Sequence, residues 1–248
     1  FGYSSPPTLT LEGSPGWPDE RNATGYSLFF IDENHSGEVV YGGAGYDLNN
    51  SRYIHSFKDD TNSTTYEIIK LRKTWRQAAE IAVLRGGKLA EVNGTVENDL
   101  IFNGLMAAGL NSGSTMAPDG GGGAYVWLGG NDFANEGNWT WDGENVGNGI
   151  QFWDGNQTDG NNTNNYEDNW GTLFGVQTEP DDFLSAQDAL AMSVDGWPLG
   201  SAGQWNDLDE NNTLYFVVEY NGTINDSNLA VGFDSDAVRI FGEGYRPP

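Results

Sequence analysis

Helical patterns occupy one stretch in the middle of the chain, and the segments after it have the pattern of short strands. Thr74 and Gln77 form a capping-box pair at the start of a first helix, which Gly86 and Gly87 end. A second helix is predicted from Thr95 onward, where apolar residues recur at helical spacing. Helices grouped before strands favour an α+β fold over a parallel sheet of alternating strands and helices.

Short strand signals, separated by loops rich in glycine and asparagine, fill the rest of the chain. In the second half these strands are Tyr125–Leu128, Trp139–Trp141, Ala189–Val194 and Leu214–Glu219. Near the ends of the chain they are Tyr26–Ile31, Val39–Tyr41, Tyr53–Phe57, Leu229–Phe233 and Ala237–Phe241. We therefore predict a central domain over 66–220, an N-terminal β-rich segment over 1–65, and a C-terminal β segment over 221–248 that packs with it.

Charge and composition exclude several classes of partner. The 248 residues include 36 acidic and 11 basic ones, which gives a formal net charge of −25. Such a chain repels the phosphates of nucleic acids and anionic membrane surfaces, and no segment reads as a membrane span. Aromatic residues make up 13% of the chain and provide anchors for a folded core. Because the chain starts at Phe1 rather than Met, we expect a secreted protein whose leader has been removed.

Cysteine is absent, whereas acceptor patterns for N-glycosylation are frequent. Since small secreted domains of eukaryotes often depend on disulfides, the lack of cysteine favours a prokaryotic surface protein. The pattern Asn-x-Ser/Thr occurs eleven times, and chance would give about three. The acceptors are Asn22, Asn34, Asn49, Asn62, Asn93, Asn138, Asn156, Asn161, Asn211, Asn221 and Asn225. Glycosylation, acidity and scarce lysine fit an archaeal cell-surface protein, although loops rich in Asn, Ser and Thr also produce such triplets without glycans.

Basic residues are distributed unevenly along the chain. Eight of the eleven lie between Arg52 and Lys88, and only Arg239 and Arg246 follow them. This cluster indicates either a solvated helix face or a docking surface for an acidic neighbour, such as another copy of this chain.

A series of short motifs occurs in a fixed order within the predicted central domain. They are Thr74–Ala79, Gly86–Ala90, Glu97–Asn98, Trp127–Gly130, Glu136–Trp141, Phe152–Gly155, Glu179–Asp181, Gln187–Asp188, Trp205–Asp207 and Leu214–Glu219. In this order they resemble the C-type lectin family in its cysteine-free prokaryotic form. The resemblance implies a C-type-lectin-like fold with two helices, small antiparallel sheets and a long calcium-binding loop. The β-rich segments of both termini would form an accessory module.

The resemblance also implies a Ca²⁺ site in the long loop. The family's ligands flank a cis proline, which corresponds here to Glu179 and Asp181. Gln187, eight positions after Glu179, and the pair Asn206 and Asp207 occupy the other ligand positions. Calcium accepts about six to eight oxygen ligands in irregular geometry. In the family, vicinal hydroxyls of a sugar complete the coordination, so the ion and the glycan bind together.

In three ways the sequence departs from the family pattern, and these departures leave open whether calcium binds and which sugar, if any, is recognised. Gln187 stands where the family has Glu, which removes one charge. The Glu-Pro-Asp triplet mixes mannose-type and galactose-type versions and offers only acceptors to the sugar, so Asn206 or Gln187 would have to supply a donor. The loop before Asn206 is longer than usual, and its Trp197 is the candidate for an exposed sugar-stacking platform. The predicted carbohydrate-binding residues are Glu179, Asp181, Asn206 and Trp197.

Each part of this site also has a simpler interpretation. The acidic triplet and the Asn-Asp pair could be ordinary turns without an ion. An oxygen-rich stretch over 154–168 resembles the place of the family's auxiliary calcium ions, and it could equally be a glycosylated loop. We expect the remaining tryptophans of the motifs to lie in the core; these are Trp127, Trp139, Trp141 and Trp153.

Catalysis finds no support in the residue types present. The two histidines, His35 and His55, precede the motif region, and Gly120–Gly123 lacks the lysine of a phosphate-binding loop. We therefore predict a binding protein rather than an enzyme. It is either an extracellular calcium-dependent carbohydrate-binding or adhesion protein, with glycans or a glycosylated surface as partner, or a glycosylated structural subunit of a filament or surface layer. In the second case the termini would mediate self-assembly.

Overall fold

A computed structural model describes residues 28–31, 39–42, 54–59, 61 and 63–221. The chain divides into two units, Phe1–Leu48 and Asn49–Pro248. In the first unit, β1 (Leu28–Ile31) and β2 (Val39–Gly42) pair as an antiparallel hairpin. The two predicted strands of this region are therefore confirmed, whereas the predicted C-terminal strands beyond residue 221 lie outside the described residues.

Within the described residues, the second unit contains two helices and twelve strands. The helices are α1 (Trp75–Leu84) and α2 (Thr95–Ala107). The strands are β3 (Ile54–Lys58), β4 (Thr65–Lys73), β5 (Lys88–Leu89), β6 (Tyr125–Asn131), β7 (Asn138–Trp141), β8 (Ile150–Asp154), β9 (Asn161–Asn162), β10 (Thr172–Leu173), β11 (Val176–Gln177), β12 (Ala189–Ser193), β13 (Trp205–Leu208) and β14 (Leu214–Tyr220).

The last strand, β14, lies at the centre of the main sheet. It pairs antiparallel with β4 and β5, and parallel with β6. The sheet order is β3-β4-β14-β6-β7-β8-β9, and β12 and β13 branch from β6. All other pairings in the described sheets are antiparallel. The predicted α+β class with two helices is confirmed, and ten of the described strands form one mixed, mostly antiparallel sheet.

The first helix begins and packs as its sequence predicts. The side chains of Thr74 and Gln77 cap each other's backbone N–H groups. Apolar residues on one face of α1 are fully buried, among them Trp75, Ala78 and Ala82. The indole N–H of Trp75 also donates to the carbonyl oxygen of Leu128 at 2.7 Å. The helix is thereby tied to the central strand β6 through both apolar packing and a buried hydrogen bond.

A cluster of aromatic rings forms the core under the second half of the chain. Trp205 contacts Trp141, Phe152 and Trp170 at ring-centroid distances between 5.6 and 6.0 Å. Edge-to-face pairs at such distances contribute about 0.5–1.5 kcal/mol beyond their buried area. The four tryptophans expected in the core are all at most 3% exposed; these are Trp127, Trp139, Trp141 and Trp153.

One strand of the main sheet lies before residue 66, where we predicted the central domain to begin. Strand β3 lies N-terminal to that boundary, yet it pairs along its whole length with β4. The pairing buries Ile54 against the main sheet, where it is 8% exposed. The compact unit begins at Asn49, and β3 covers the edge of β4 that does not pair with β14.

Most of the basic residues concentrated before residue 89 have partners inside the domain. Lys70 donates to the carbonyl oxygen of Ala108, and Arg72 to that of Ser114 at 2.7 Å. Lys88 forms ion pairs with Glu91 and Glu219. Several of these basic side chains therefore hold segments of the domain together, while Arg72 and Arg76 remain exposed.

Arg85 makes the most buried ion pair of the described residues. Its guanidinium contacts Glu67 Oε2 at 2.5 Å, and both side chains are at most 7% exposed. The hydroxyl of Tyr220 donates to the same carboxylate oxygen at 2.6 Å. This network joins the C-terminal end of α1 to β4 and β14.

Replacing Arg85 with Leu should destabilise the domain by about 3–5 kcal/mol, because Glu67 would remain buried without its counter-ion. Urea unfolding followed by tryptophan fluorescence measures this change. The double variant Arg85→Leu, Glu67→Leu should recover much of the loss, since it buries no charge. Arg72→Leu serves as the exposed control and should cost less than about 1 kcal/mol. An equal loss of unfolding free energy in Arg85→Leu and in Arg72→Leu would contradict the role of the buried Arg85–Glu67 ion pair.

Candidate metal centre

A long loop between β9 and β12 carries the acidic triplet. The peptide bond between Glu179 and Pro180 is cis. The backbone N–H of Gln157 donates to the carbonyl oxygen of Pro180 at 3.0 Å, and the side chain of Gln177 donates to that of Glu179 at 2.8 Å. These bonds hold the turn from two sides, so its side chains have defined positions.

Strand β13 presents the other half of the site. It pairs antiparallel with β12, and Asp207 on it is completely buried. The carboxylate of Asp207 accepts the backbone N–H groups of Asp181 at 3.2 Å and Asp182 at 2.7 Å. The buried carboxylate therefore fastens the acidic loop to the core strand.

Three carboxylates converge where the loop meets the strand. Oxygen atoms of Glu179, Asp181 and Asp207 all lie within 4.8 Å of one another. Glu179 is 1% exposed; its Oε1 accepts the indole N–H of Trp197 at 3.1 Å, while its Oε2 is buried without a hydrogen-bond partner. An unpaired buried carboxylate oxygen is costly, and a hard cation with oxygen ligands would satisfy it. The residues present fit a calcium ion.

Burial and mutual repulsion shift the protonation of this cluster. Burial raises the pKa of Glu179 far above its usual range, and the charges of Asp207 and Asp181 raise it further. Burial also raises the pKa of Asp207, although its hydrogen bonds from the backbone oppose that shift. Burial and the like charges therefore favour a protonated form of the cluster over the fully ionised one. No lysine or arginine of the described residues forms an ion pair with the cluster.

The two predicted amide ligands are buried beside the carboxylates and already have partners. Gln187 accepts the backbone N–H of Phe183 at 2.7 Å and donates to Asp119 at 3.2 Å. Asn206 donates through Nδ2 to the hydroxyl of Tyr125 at 3.1 Å. The structure thus brings all five predicted metal-site residues to one region, with the amides held by neighbouring polar groups.

Trp197 is not the exposed platform that the sequence predicted. It is 8% exposed, and its ring lies in a slot where a Cβ atom on either Gly171 or Gly200 would collide with it. Tyr125 contacts it edge to face at 5.7 Å. The indole positions Glu179 through its N–H and closes the site from one side, so ring stacking on a sugar from open solvent is excluded.

A surface cleft of about 240 Å³ opens beside the carboxylates. Glu179, Asp181 and Asn206 line it together with the backbone of the glycine-rich turn at 120–121 and the side chain of Phe183. Apolar side chains project from the same loop: Phe174 is 97% exposed and Leu184 81%. The candidate metal centre is therefore accessible from solvent and has apolar neighbours at its rim.

A second acidic cluster was missed at the sequence level. Oxygen atoms of Asp132, Glu136 and Asp188 lie within 4.8 Å of one another, and Oδ1 of Asp132 is buried without a partner. Burial raises the pKa of Asp132 to about 8. A signal was available, because Asp132 directly follows β6 and Asp188 directly precedes β12, and these strands pair. Two acidic clusters of the described residues could therefore hold a metal, and in the second only Asp132 is buried.

The oxygen-rich stretch over 154–168 makes local contacts and no acidic cluster of this kind within the described residues. Glu167 accepts the backbone N–H of Thr95 at 3.1 Å and so caps helix α2. Asp168 accepts the side-chain amide of Asn162 at 2.8 Å. These side chains stabilise the loop and the helix start.

The glycosylation acceptors differ in accessibility. Asn138 lies on β7, is half-buried and has a buried Oδ1 without a partner. The exposed acceptors are Asn93, Asn156, Asn161, Asn211 and Asn221. Asn22, Asn34, Asn49, Asn62 and Asn225 lie outside the described residues.

Comparison with solved structures finds C-type lectin domains. The chain is similar to the carbohydrate-recognition domain of the mouse scavenger receptor C-type lectin, with 16% identity, TM-score 0.42, and coverage of 68% of this chain and 95% of that one. It is similar to the domain of cow CD23 solved with GlcNAc2Man3, with 22% identity, TM-score 0.42, and coverage of 65% and 90%. It is also similar to human lithostathine, with 16% identity, TM-score 0.44, and coverage of 65% of this chain and 95% of that one. No protein-family model and no curated protein matches.

The central domain is C-type-lectin-like in fold. The observations in the molecule itself are two helices before the main sheet, a terminal strand at the sheet centre, and a long loop with a cis proline. Neither helix of the described residues is long and apolar enough to cross a membrane.

Glu179→Gln should raise the free energy of unfolding of the metal-free protein at pH 7 by about 1–3 kcal/mol. The amide needs no proton to be neutral and adds donors next to Asp181 and Asp207. Because the pKa of Glu179 is raised on folding, the wild-type protein loses stability as pH rises above the ordinary glutamate value. The advantage of the variant should therefore vanish near pH 4 and increase toward pH 9. Urea unfolding at the three pH values measures it, and a variant less stable at pH 9 would contradict it.

Proposed function

We propose that this protein is an extracellular, calcium-dependent carbohydrate-binding or adhesion protein. One observation carries the proposal: Glu179, Asp181 and Asp207 converge beside a surface cleft, no basic side chain of the described residues pairs with them, and one oxygen of Glu179 is buried and unpaired. A cluster of this charge in a folded protein calls for a cation.

The protein's own residues would prepare the site for the ion and the sugar. Asp207 and Trp197 fix the loop and the Glu179 side chain through the hydrogen bonds described above. Glu179 and Asp181 would contribute oxygen ligands, and Asn206 an amide beside the cleft. A bound calcium ion would neutralise the carboxylates and accept sugar hydroxyls as further ligands.

The extracellular placement rests on composition. Five exposed acceptor asparagines, the absence of cysteine and the net charge of −25 agree with a glycosylated surface protein. The cluster of three carboxylates and the cleft beside it are features of a binding site, and we assign no catalytic residue.

A specific observation favours a second candidate, in which the domain is a glycosylated structural subunit of a surface layer or filament. The loop beside the cleft exposes Phe174, Val176 and Leu184 by at least 66% each. Exposed apolar side chains in one segment often mark a contact with another macromolecule. In this case the calcium ion would bind between copies or stiffen the loop.

Calcium should bind the wild-type protein and raise its melting temperature. At about 100 times the dissociation constant the stabilisation is about 2.7 kcal/mol, or roughly 5–10 °C for a chain of this size. Calorimetric titration measures the affinity, and differential scanning calorimetry the shift. Glu179→Gln and Asp207→Asn should weaken binding by at least about tenfold, whereas Asp154→Asn, an exposed carboxylate on β8, should not.

Unchanged calcium affinity in Glu179→Gln would exclude the site. With calcium binding established, a glycan array probed with and without the ion tests carbohydrate recognition. Light scattering under both conditions tests assembly. A monomer that binds glycans only with calcium supports the first function, and large assemblies lost on chelation and indifferent to sugars support the second.

A further inference from the structure

A second cleft of about 230 Å³ lies between the start of helix α1 and the end of strand β6. The residues that line it include Arg76, Asn131, Phe133, Thr140 and Asp142. None of these residues belongs to the two acidic clusters. The cleft is therefore distinct from the proposed calcium site.

Arg76 is exposed, yet its position is fixed. Its guanidinium lies over the ring of Phe133, 4.0 Å from the centroid, and Nη1 donates to Oδ1 of Asn145 at 3.3 Å. Phe133 is itself held edge to face by Trp75 at 5.1 Å. Among the described residues Arg76 forms no ion pair, although Asp188 and Glu210 are near enough to feel its charge. Most of its donors are available to a ligand.

Asn131 adds a buried donor to the same cleft. It is 4% exposed, and its Nδ2 has no hydrogen-bond partner. Leaving a buried amide donor unsatisfied costs on the order of 1–3 kcal/mol. The residue thus resembles the unpaired polar groups that binding sites keep for their ligands.

The acceptors of the cleft, in contrast, are mostly engaged. Asp142 accepts the backbone N–H groups of Val146 at 3.0 Å and Gly147 at 2.7 Å. The hydroxyl of Thr140 donates to the carbonyl oxygen of Asn131 at 3.2 Å. With the Asp142 carboxylate held by two backbone N–H groups, the unpaired donors of the cleft are the Nδ2 group of Asn131 and the remaining N–H groups of Arg76. The complementary ligand is a planar acceptor with a negative charge.

We propose that this cleft is a binding site for a carboxylate group, which Arg76 and the Nδ2 group of Asn131 hydrogen-bond together. Two sources provide that chemistry: an acidic sugar such as a uronate, and the carboxylate of an aspartate or glutamate side chain. Both place the same planar anion against the guanidinium. The test therefore uses one probe from each source.

The experiment is an NMR titration of the ¹⁵N-labelled full chain. Calcium is removed beforehand on a chelating resin, because soluble chelators are themselves carboxylates and because the calcium site is then silent. The probes are sodium glucuronate, N-acetylglutamate amide and, as a neutral control, glucose. Signals of the Arg76 Nε–H, the Asn131 side-chain amide and the backbone of Gly147 and Gly149 should move with both carboxylates and stay unchanged with glucose.

Two variants and a control make the test specific. Arg76→Gln should weaken binding of both carboxylates by about tenfold or more, and Asn131→Asp should do the same by replacing the donor with a like charge. Because Arg76 is exposed, its variant retains a folded protein, which the dispersion of the spectrum verifies. Arg72→Gln, a change of an exposed arginine on β4, should bind as the wild type does.

A preference of about tenfold for one probe would identify the source of the carboxylate, and equal binding would mean that the carboxylate alone is recognised. Both results support the site. Signals that move only outside the cleft, equal response to glucose, or unchanged binding by Arg76→Gln would overturn it. None of these results depends on calcium, so failure here leaves the proposed function untouched.

Discussion

The arrangement of the candidate site depends on the burial of Trp205. Its ring packs edge to face against Trp141, Phe152 and Trp170, and its indole N–H donates to Asn98 Oδ1 at 2.8 Å. These contacts fix strand β13 between helix α2 and the aromatic core. The next residues on the strand are Asn206 and Asp207, so the position of the polar site follows directly from the packing of an apolar neighbour. Loss of this ring would disturb core and site together.

The second organising constraint is the shortage of positive charge. The chain has 36 acidic and 11 basic residues, and two of the basic ones pair with buried carboxylates. Arg85 neutralises Glu67, and Lys88 neutralises Glu219. The carboxylates around Glu179 have no such partner among the described residues, although Glu179 and Asp207 are at least as buried. This contrast distinguishes a site prepared for an external cation from the structural ion pairs of the same domain.

Local signals predicted the fold well, and contacts between distant segments limited what could be predicted of the site. The capping pair at Thr74 and the tryptophans of the core follow from short-range pattern and hydrophobicity. The cluster around Asp132 was missed because it forms only when β6 and β12 pair, although its residues adjoin the two strand ends. Trp197 was misjudged because its burial depends on two glycines, Gly171 and Gly200, one of which lies outside the inserted loop. The room that these glycines leave for the indole ring cannot be predicted from the hydrophobic periodicity of the sequence.

The central place of β14 has a consequence for biosynthesis. The strand closest to the C-terminal end of the domain lies between β4 and β6, and it also pairs with β5. While the ribosome is still producing residues before 214, the two halves of the sheet have no strand to join them. Such long-range pairing delays folding until late in synthesis. The main sheet is therefore complete only once residues 214–220 have been made, although the strands from β6 to β13 can already pair with one another.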